Sequence, residues 1–185
     1  MKDRPHDPRR LDVRRFAATA AQLQGCAGAG ELPRLVADAP LAGGEGAEWS
    51  MRGEQRPGVA GEPEVWLHLQ ARAHVVLPCQ RCLQPMTLPL QAARSIRFVD
   101  DEAEAERLDE ELDDDVLAAP ARGRVDALAL VEDELIFALP LVPRHDACPE
   151  PLPAPADTAR ATEADAAPHP FAALAALKRG GRPGR

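Results

Sequence analysis

Two runs of alternating apolar and polar residues, joined by a C-Q-R-C segment, constrain the fold more than any other feature of the sequence. Between residues 65 and 77 the odd positions are apolar, and between 86 and 98 the even positions are apolar, with Arg94 as the one interruption. A period of two is typical of β-strands with one buried face. The sequence therefore predicts an antiparallel hairpin whose turn is a knuckle formed by Cys79 and Cys82.

Residues 125–139 carry the clearest helical pattern. Their sequence, V-D-A-L-A-L-V-E-D-E-L-I-F-A-L, places apolar residues three and four positions apart, and Pro140 and Pro143 follow as helix stops. The apolar stripe consists of Leu128, Val131, Leu135 and Leu139. This stripe can cover the open face of the hairpin. We therefore predict an α+β fold: an antiparallel β-sheet with a Cys-x-x-Cys hairpin, covered by one long helix, with short terminal helices and mobile tails.

The N-terminal region gives less specific predictions. Residues 11–23 are rich in helix formers, and Gly25 follows as a stop, which predicts an amphipathic helix docked on the core. The apolar face of this helix consists of Val13, Phe16, Ala20 and Leu23. Four arginines accompany this segment, either as solvated side chains or as a phosphate-contacting patch. They are Arg9, Arg10, Arg14 and Arg15. Cys26 has no partner at metal spacing and is predicted to be a small buried or loop residue.

The segments that follow are short. Residues 48–55 can form a strand with Trp49 and Met51 on one side, and the Gly- and Pro-rich residues 56–63 predict a hairpin loop. Residues 32–41 lie between prolines, and their pattern does not decide between helix and strand.

Most of the negative charge lies in one segment. The chain has a net charge of −8, and residues 100–115 contain eleven carboxylates and one arginine, so the rest of the chain is close to neutral or slightly basic. Charge blocks of this kind are usually disordered or form solvated helices. A functional alternative is that this acidic tract mimics nucleic acid or competes for the protein's own basic face.

Composition and pattern predict a single domain with tails. We assign 1–10 to a mobile basic N-terminus, 11–148 to one α+β domain that includes the acidic insert 100–115, 149–168 to a Pro/Ala-rich linker, and 169–185 to an apolar ridge with a basic tail. No apolar run reaches 18 residues, and the N-terminus lacks the apolar segment of a signal peptide. We therefore expect a cytoplasmic protein with reduced thiols and no membrane partner.

Four residues have the types and spacing of a metal site. Cys79 and Cys82 form one pair, and His145 and Cys148 form a second pair after the predicted helix. If the helix covers the hairpin, the two pairs can meet in a Cys3His site for structural zinc. The alternatives are a reduced Cys-x-x-Cys turn with a solvated histidine and, less favoured, a redox pair, which usually lies at a helix N-terminus. A full Cys3His shell leaves no open position for metal-dependent catalysis.

Three segments together resemble the YceD family of large ribosomal RNA subunit accumulation proteins. They are V-V-L-P-C-Q-R-C-L-Q-P (75–85), the stretch V-D-A-L-A-L-V-E-D-E-L-I-F-A-L-P-L-V-P-R-H-D-A-C (125–148), and H-P-F-A-A-L-A-A-L-K-R (169–179). The resemblance implies a cytoplasmic, non-enzymatic role in synthesis, processing or stability of large-subunit ribosomal RNA. It also implies association with ribosomal precursors, and it supplies no catalytic residues.

The residues themselves favour a binding module over an enzyme, because the sequence shows no phosphate-cradling loop and no nucleophile motif. The aromatic content of 3% argues against base stacking, so phosphate contacts should dominate any binding of ribosomal RNA. The candidate RNA-facing residues are Arg81, Arg94, Arg97, Lys178 and Arg179. The alternative is a protein–protein adaptor that docks on ribosomal proteins or an RNA-processing enzyme through Phe171, Leu174 and Leu177, while the acidic tract engages basic ribosomal proteins. Neither hypothesis includes a small-molecule substrate.

Overall fold

The computed structural model of the protein describes residues 6–58, 61–112, 114–120 and 123–149. Met1–Ala147 form one compact unit, which holds every helix and strand of the described part, and Cys148–Arg185 form a second unit. No helix in the described ranges is long and apolar enough to span a bilayer.

Seven strands and four α-helices are found within the described residues. The strands are β1 (Leu11–Asp12), β2 (Gln22–Ala27), β3 (Ala47–Pro57), β4 (Pro63–Pro78), β5 (Pro85–Val99), β6 (Asp115–Ala118) and β7 (Arg124–Val125). The α-helices are α1 (Val13–Ala18), α2 (Pro33–Asp38), α3 (Glu102–Glu111) and α4 (Ala127–Phe137). Strands β2 to β6 form one sheet in sequence order, antiparallel except for the parallel pair β5–β6, and β1 pairs with β7.

The predicted hairpin is confirmed as β4 and β5, which pair from Val65 opposite Phe98 to Pro78 opposite Pro85. The alternation has the predicted effect, since Leu67 and Leu69 are buried and the even-numbered neighbours in this part of β4 point to the other face. The two prolines lie at the last paired position, where the ladder ends and a missing N–H costs little.

Helix α4 covers the buried face of the sheet and packs on β4 and β5, as predicted. It begins at the N-cap Asp126, whose carboxylate accepts hydrogen bonds from the Leu128 and Ala129 N–H groups at 3.1 Å. Val131 and Leu135 are fully buried in the shared core. The helix is shorter than the 125–139 pattern at both ends, and the α+β class is confirmed.

The predicted helix over residues 11–23 is wrong in its second half. Helix α1 ends at Ala18, and Ala20 then takes a left-handed conformation with φ of 47°. Residues from Gln22 onward pair with the edge of β3 instead, because a strand edge offers backbone partners that helix propensity alone does not reveal. Val13 and Phe16 are buried, as expected from the pattern.

Gly25 and Cys26 therefore lie in strand β2 and not at a helix end. Gly25 lies under the Trp49 ring, where an added Cβ would come within 2.6 Å of Cζ2, so the glycine permits close packing of the indole. Cys26 is exposed on the strand, which corrects the prediction of a buried or loop residue.

The acidic tract forms a packed helix. Asp101 caps α3 by accepting a hydrogen bond from the Glu104 N–H at 2.8 Å. Ala105 and Leu108 are buried against Val99 and Val116, so a second, small apolar cluster holds this helix on the sheet. Of the two expectations for the tract, the helix is confirmed, and its apolar face gives it a fixed position.

One buried carboxylate joins the two helices α2 and α4. Glu132 is 4% exposed and accepts hydrogen bonds from the N–H groups of Arg34 (2.6 Å) and Leu35 (3.1 Å). It also accepts one from Arg34 Nε at 2.8 Å. The carboxylate thereby accepts hydrogen bonds from two N–H groups at the start of α2, which have no acceptor within the helix. Residues 32–41, whose type the sequence did not decide, are mainly helical.

We expect Glu132→Ala to lower the free energy of unfolding by about 3 kcal/mol, because it leaves the Arg34 and Leu35 N–H groups and the Arg34 Nε without their acceptor. Urea unfolding measures this change. Asp133→Ala is the matched control, because it removes the exposed partner of the same arginine and should cost under about 1 kcal/mol. Equal losses in the two variants would contradict the role of the buried carboxylate.

Candidate metal centre

The knuckle is a tight turn between β4 and β5. The Leu83 N–H donates to the Cys79 carbonyl at 2.8 Å, and the Cys79 N–H donates to the Gln84 carbonyl at 2.9 Å. Leu83 takes a left-handed conformation with φ of 62° and projects into solvent. These two hydrogen bonds fold the six residues between the strands back on themselves, so that both cysteines lie within one turn.

The segment after α4 returns to the knuckle and is bound to it by hydrogen bonds. The Gln80 N–H donates to the Pro143 carbonyl at 2.8 Å, and the Arg81 guanidinium donates to the His145 carbonyl at 3.1 Å. The His145 N–H in turn approaches Cys79 Sγ at 3.5 Å. This return brings the histidine, which lies far from the knuckle in sequence, to the cysteines.

The four predicted ligands come together. One ligand atom from each of Cys79, Cys82, His145 and Cys148 lies within 4.8 Å of all the others, and Cys82 Sγ is 3.4 Å from His145 Nδ1. Sulfur and nitrogen ligands of tetrahedral zinc lie about 3.6 to 3.8 Å apart, given bond lengths near 2.1 and 2.3 Å. The four ligand atoms therefore lie close enough together for one metal ion to be reached by all of them.

The environment of Cys79 favours a thiolate. The residue is fully buried, which by itself disfavours the charged form. Backbone N–H groups of His145, Cys82 and Arg81 donate to the sulfur and outweigh that effect, so the pKa of Cys79 falls from 9.0 to about 5. A thiolate that is already deprotonated at neutral pH is a good zinc ligand.

The donor set fits a structural zinc. Three thiols and one imidazole suit Zn²⁺, and four protein ligands complete a tetrahedral shell. The cysteines are free thiols, and the Cys79–Cys82 pair lies in a hairpin turn. This location differs from the helix N-terminus at which redox-active pairs usually lie. The cluster can therefore hold a metal ion, with zinc as the best chemical match.

The three predicted RNA-facing arginines that the structure describes do not form one patch. Arg81 is exposed at the knuckle, Arg94 lies in the covered face of β5, and Arg97 lies in the opposite face. Arg94 is held by two carboxylates, Asp115 at 2.5 Å and Glu134 at 2.9 Å. Arg97 pairs with a carboxylate on β4, 3.2 Å away, and Lys178, Arg179, Phe171, Leu174 and Leu177 lie outside the described residues.

The outward face of the sheet, formed by the even positions of β3 and β4 and the odd positions of β5, carries a polar network that the sequence did not reveal. Glu54 accepts hydrogen bonds from Arg56 and His68, which hold the pKa of its carboxyl at about 2. The Arg56 guanidinium lies 4.3 Å from the centre of the Trp66 ring, which is almost fully buried. Alternation places Glu54 and Arg56 on one face two residues apart, but only the β3–β4 register brings His68 of β4 to the Glu54 carboxylate.

Arg72 differs from the other arginines of this face. It is exposed, lies between Glu48 and Gln91 in the sheet, and has no ion pair within the described ranges. Its charge is therefore not directed at a carboxylate in the part of the chain that the structure describes.

The family comparison covers most of this architecture. Residues 67–178 match the family model described as large ribosomal RNA subunit accumulation protein YceD. The matched range begins in β4 and contains all four candidate metal ligands. No solved structure matches the chain.

We expect the protein, purified without chelators, to contain about one zinc ion per chain. Cys82→Ser should remove most of this zinc, because it deletes one of four ligands, and mass spectrometry of the metal content measures the loss. Cys26→Ser is the matched control, since this exposed thiol lies outside the cluster and its loss should leave the zinc content unchanged. Zinc near zero in the unmodified protein would contradict the site.

The stability of the zinc-free protein should fall as the pH is lowered from about 9 to about 5. The pKa of Cys79 is about 5 in the folded state and near 9.0 in the unfolded state, so the unfolded chain binds more protons in this range and stability rises with pH. The contribution is complete above pH 9 and is lost as the pH falls to 5. Urea unfolding in chelator should show a smaller pH dependence for Cys79→Ser than for Cys26→Ser, and equal slopes would contradict the thiolate.

Proposed function

The chain belongs to the YceD family of large ribosomal RNA subunit accumulation proteins, and from this premise we propose that it supports the synthesis, processing or stability of large-subunit ribosomal RNA by binding the RNA or its precursor particle. The observation that carries the proposal is the family match over residues 67–178, which contains the hairpin, the metal cluster and α4. The cell compartment that follows from this role is the cytoplasm.

The form of the candidate site supports binding and not catalysis. Four protein ligands close a tetrahedral zinc shell, so a zinc ion there would have no open position for substrate. When bound, zinc would supply a cross-link between the knuckle and the segment after α4. The residues around it would then hold Arg81 at a fixed place on the surface, since its guanidinium already donates to the His145 carbonyl.

Phosphate contact is the mode of RNA binding that the surface favours. Trp66 is 5% exposed and covered by Arg56, so it offers no free ring for base stacking. Arg94 and Arg97 are engaged by carboxylates and would have to exchange them for phosphate. Arg72, which is exposed and has no ion pair within the described ranges, is therefore the residue we propose first for backbone contact. The exposed Arg81 at the knuckle is the second, and Lys178 and Arg179 are retained as candidates from the sequence.

A second candidate function is a protein–protein adaptor that acts on the same precursors without direct RNA contact. It is favoured by the helical acidic tract, whose charge repels nucleic acid and attracts basic ribosomal proteins. The apolar ridge of Phe171, Leu174 and Leu177 is the docking segment proposed for that role.

Ultraviolet crosslinking in cells, followed by sequencing of the RNA retained under denaturing purification, tests direct binding. We expect reads concentrated on large-subunit ribosomal RNA or its precursor. In purified protein, Arg72→Gln and Arg81→Gln should each weaken RNA binding and reduce the slope of log K against log salt by about 0.7 to 0.9, the contribution of one phosphate contact.

Arg107→Gln is the matched control, because it removes one positive charge from the acidic helix, where its partner is Glu111. It should leave the salt slope unchanged. Zinc content is measured in each variant, so that a damaged metal site is not mistaken for a lost contact. Crosslinked reads without enrichment of ribosomal RNA would contradict direct binding and favour the adaptor.

A further inference from the structure

A groove lies between α3, β6 and α4. It has a volume of about 370 Å³ and is lined by side chains from both helices and from the strand. β6 is the last strand of the five-stranded sheet, so within the described residues no further strand covers its outer edge. The groove is thus open where the sheet ends, with α3 on one side and α4 on the other.

The lining includes large apolar side chains that are exposed to solvent. Phe137, the last residue of α4, is 75% exposed, and Leu117 on β6 is 41% exposed. Ile96 of β5, Leu130, Ala105 and Val116 complete the apolar part of the lining. Apolar side chains that converge in a groove with a polar rim are typical of surfaces that bind a partner.

The rim of the groove is strongly acidic. Six carboxylates line it, against a single arginine, Arg94. They are Glu102, Glu106, Asp109, Asp115, Asp133 and Glu134. Arg94 engages two of these, Asp115 and Glu134, and Asp133 pairs with Arg34 at 2.6 Å. The arginines of the protein itself therefore form ion pairs only with the carboxylates on α4 and β6.

Within the described residues, the carboxylates on the α3 side of the rim have no arginine or lysine partner in the protein. Glu102, Glu106 and Asp109 follow one another at intervals of four and three residues, so they lie on one face of the helix. None of them has an ion pair within the described part of the chain. Like charges at this spacing destabilise a helix, and a cationic partner would relieve their repulsion.

We infer that this groove binds a basic, amphipathic peptide segment of a protein partner. The apolar side chains of such a segment contact Phe137 and Leu117, and its lysines and arginines pair with the free carboxylates of α3. A nucleic acid is not the occupant, because its phosphates would meet the same negative rim. The inference does not depend on direct RNA binding, because it concerns another surface with the opposite charge.

A fluorescent peptide of leucine, lysine and arginine, with the leucines at helical i, i+3 and i+7 spacing, is a suitable probe for fluorescence anisotropy with the full-length protein. We expect saturable binding that weakens with added salt. A peptide of the same composition with the leucines scattered around the helix should bind at least about fivefold more weakly, because its apolar side chains cannot enter the groove together.

Two pairs of variants separate the groove from general attraction. Glu106→Gln with Asp109→Asn removes two carboxylates from the groove face of α3, and Glu104→Gln with Glu111→Gln removes two from the opposite face. The first pair should weaken binding about fivefold and the second less than about twofold. Phe137→Ala should likewise weaken binding about fivefold, whereas Leu141→Ala, at a fully exposed residue that does not line the groove, should have little effect.

Several outcomes would overturn the inference. These are a lack of saturable binding, equal effects of the two charge pairs, and an unaltered affinity in Phe137→Ala. A concentration-dependent dimer in sedimentation that Phe137→Ala dissociates would assign the groove to a second copy of the chain. Peptide binding seen only after Lys178 and Arg179 are replaced by glutamine would assign it to the chain's own basic segment. Circular dichroism confirms that each variant is folded, and RNA crosslinking of the same variants distinguishes failure here from failure of the proposed function.

Discussion

The register of the β4–β5 hairpin is the constraint on which the rest of the structure depends. Because side chains alternate between the two faces, a shift of one residue would move Leu67 and Leu69 from the core to solvent and expose α4's contact surface. The same register brings Pro78 opposite Pro85, which fixes where the knuckle begins. Burial of the core face and placement of Cys79 and Cys82 are therefore two results of one set of backbone pairs.

The candidate metal cluster brings together segments that are distant in the chain. Sixty-two residues separate Cys82 from His145, and they include β5, α3, β6 and α4. A metal that binds at both ends of this segment closes a long loop in the folded state, and the unfolded chain cannot form such a site without paying the entropy of closure. The hydrogen bonds between Gln80 and Pro143 and between Arg81 and His145 already hold the ends together, so the ligands are preorganised.

The charged residues are unevenly distributed over the protein, and the net charge does not show this. The negative net charge comes from the acidic tract 100–115, of which α3 forms the middle part, whereas the arginines of the sheet are mostly paired with nearby carboxylates, such as Arg97 with Glu64 and Arg56 with Glu54. The protein therefore presents an acidic groove at the β6 edge and exposed arginines, Arg72 and Arg81, elsewhere on its surface. Two surfaces of this kind suit two partners of opposite charge.

The sequence by itself determined the hairpin, helix α4 and the four candidate metal ligands, because each rests on a local period or spacing that is readable without neighbours. It did not determine β2, since Gln22 and Leu23 continue a run of helix formers and Gly25 reads as a helix stop, yet the segment becomes a strand by pairing with the edge of β3. It also could not show that Arg94 would meet Asp115 and Glu134, or that α3 would pack through Leu108. These contacts join residues that are far apart in the chain, so only the tertiary structure decides them. The period of the sequence predicts which face of a strand or helix a side chain lies on. Which groups that side chain then contacts depends on strand register and on how the helices pack on the sheet.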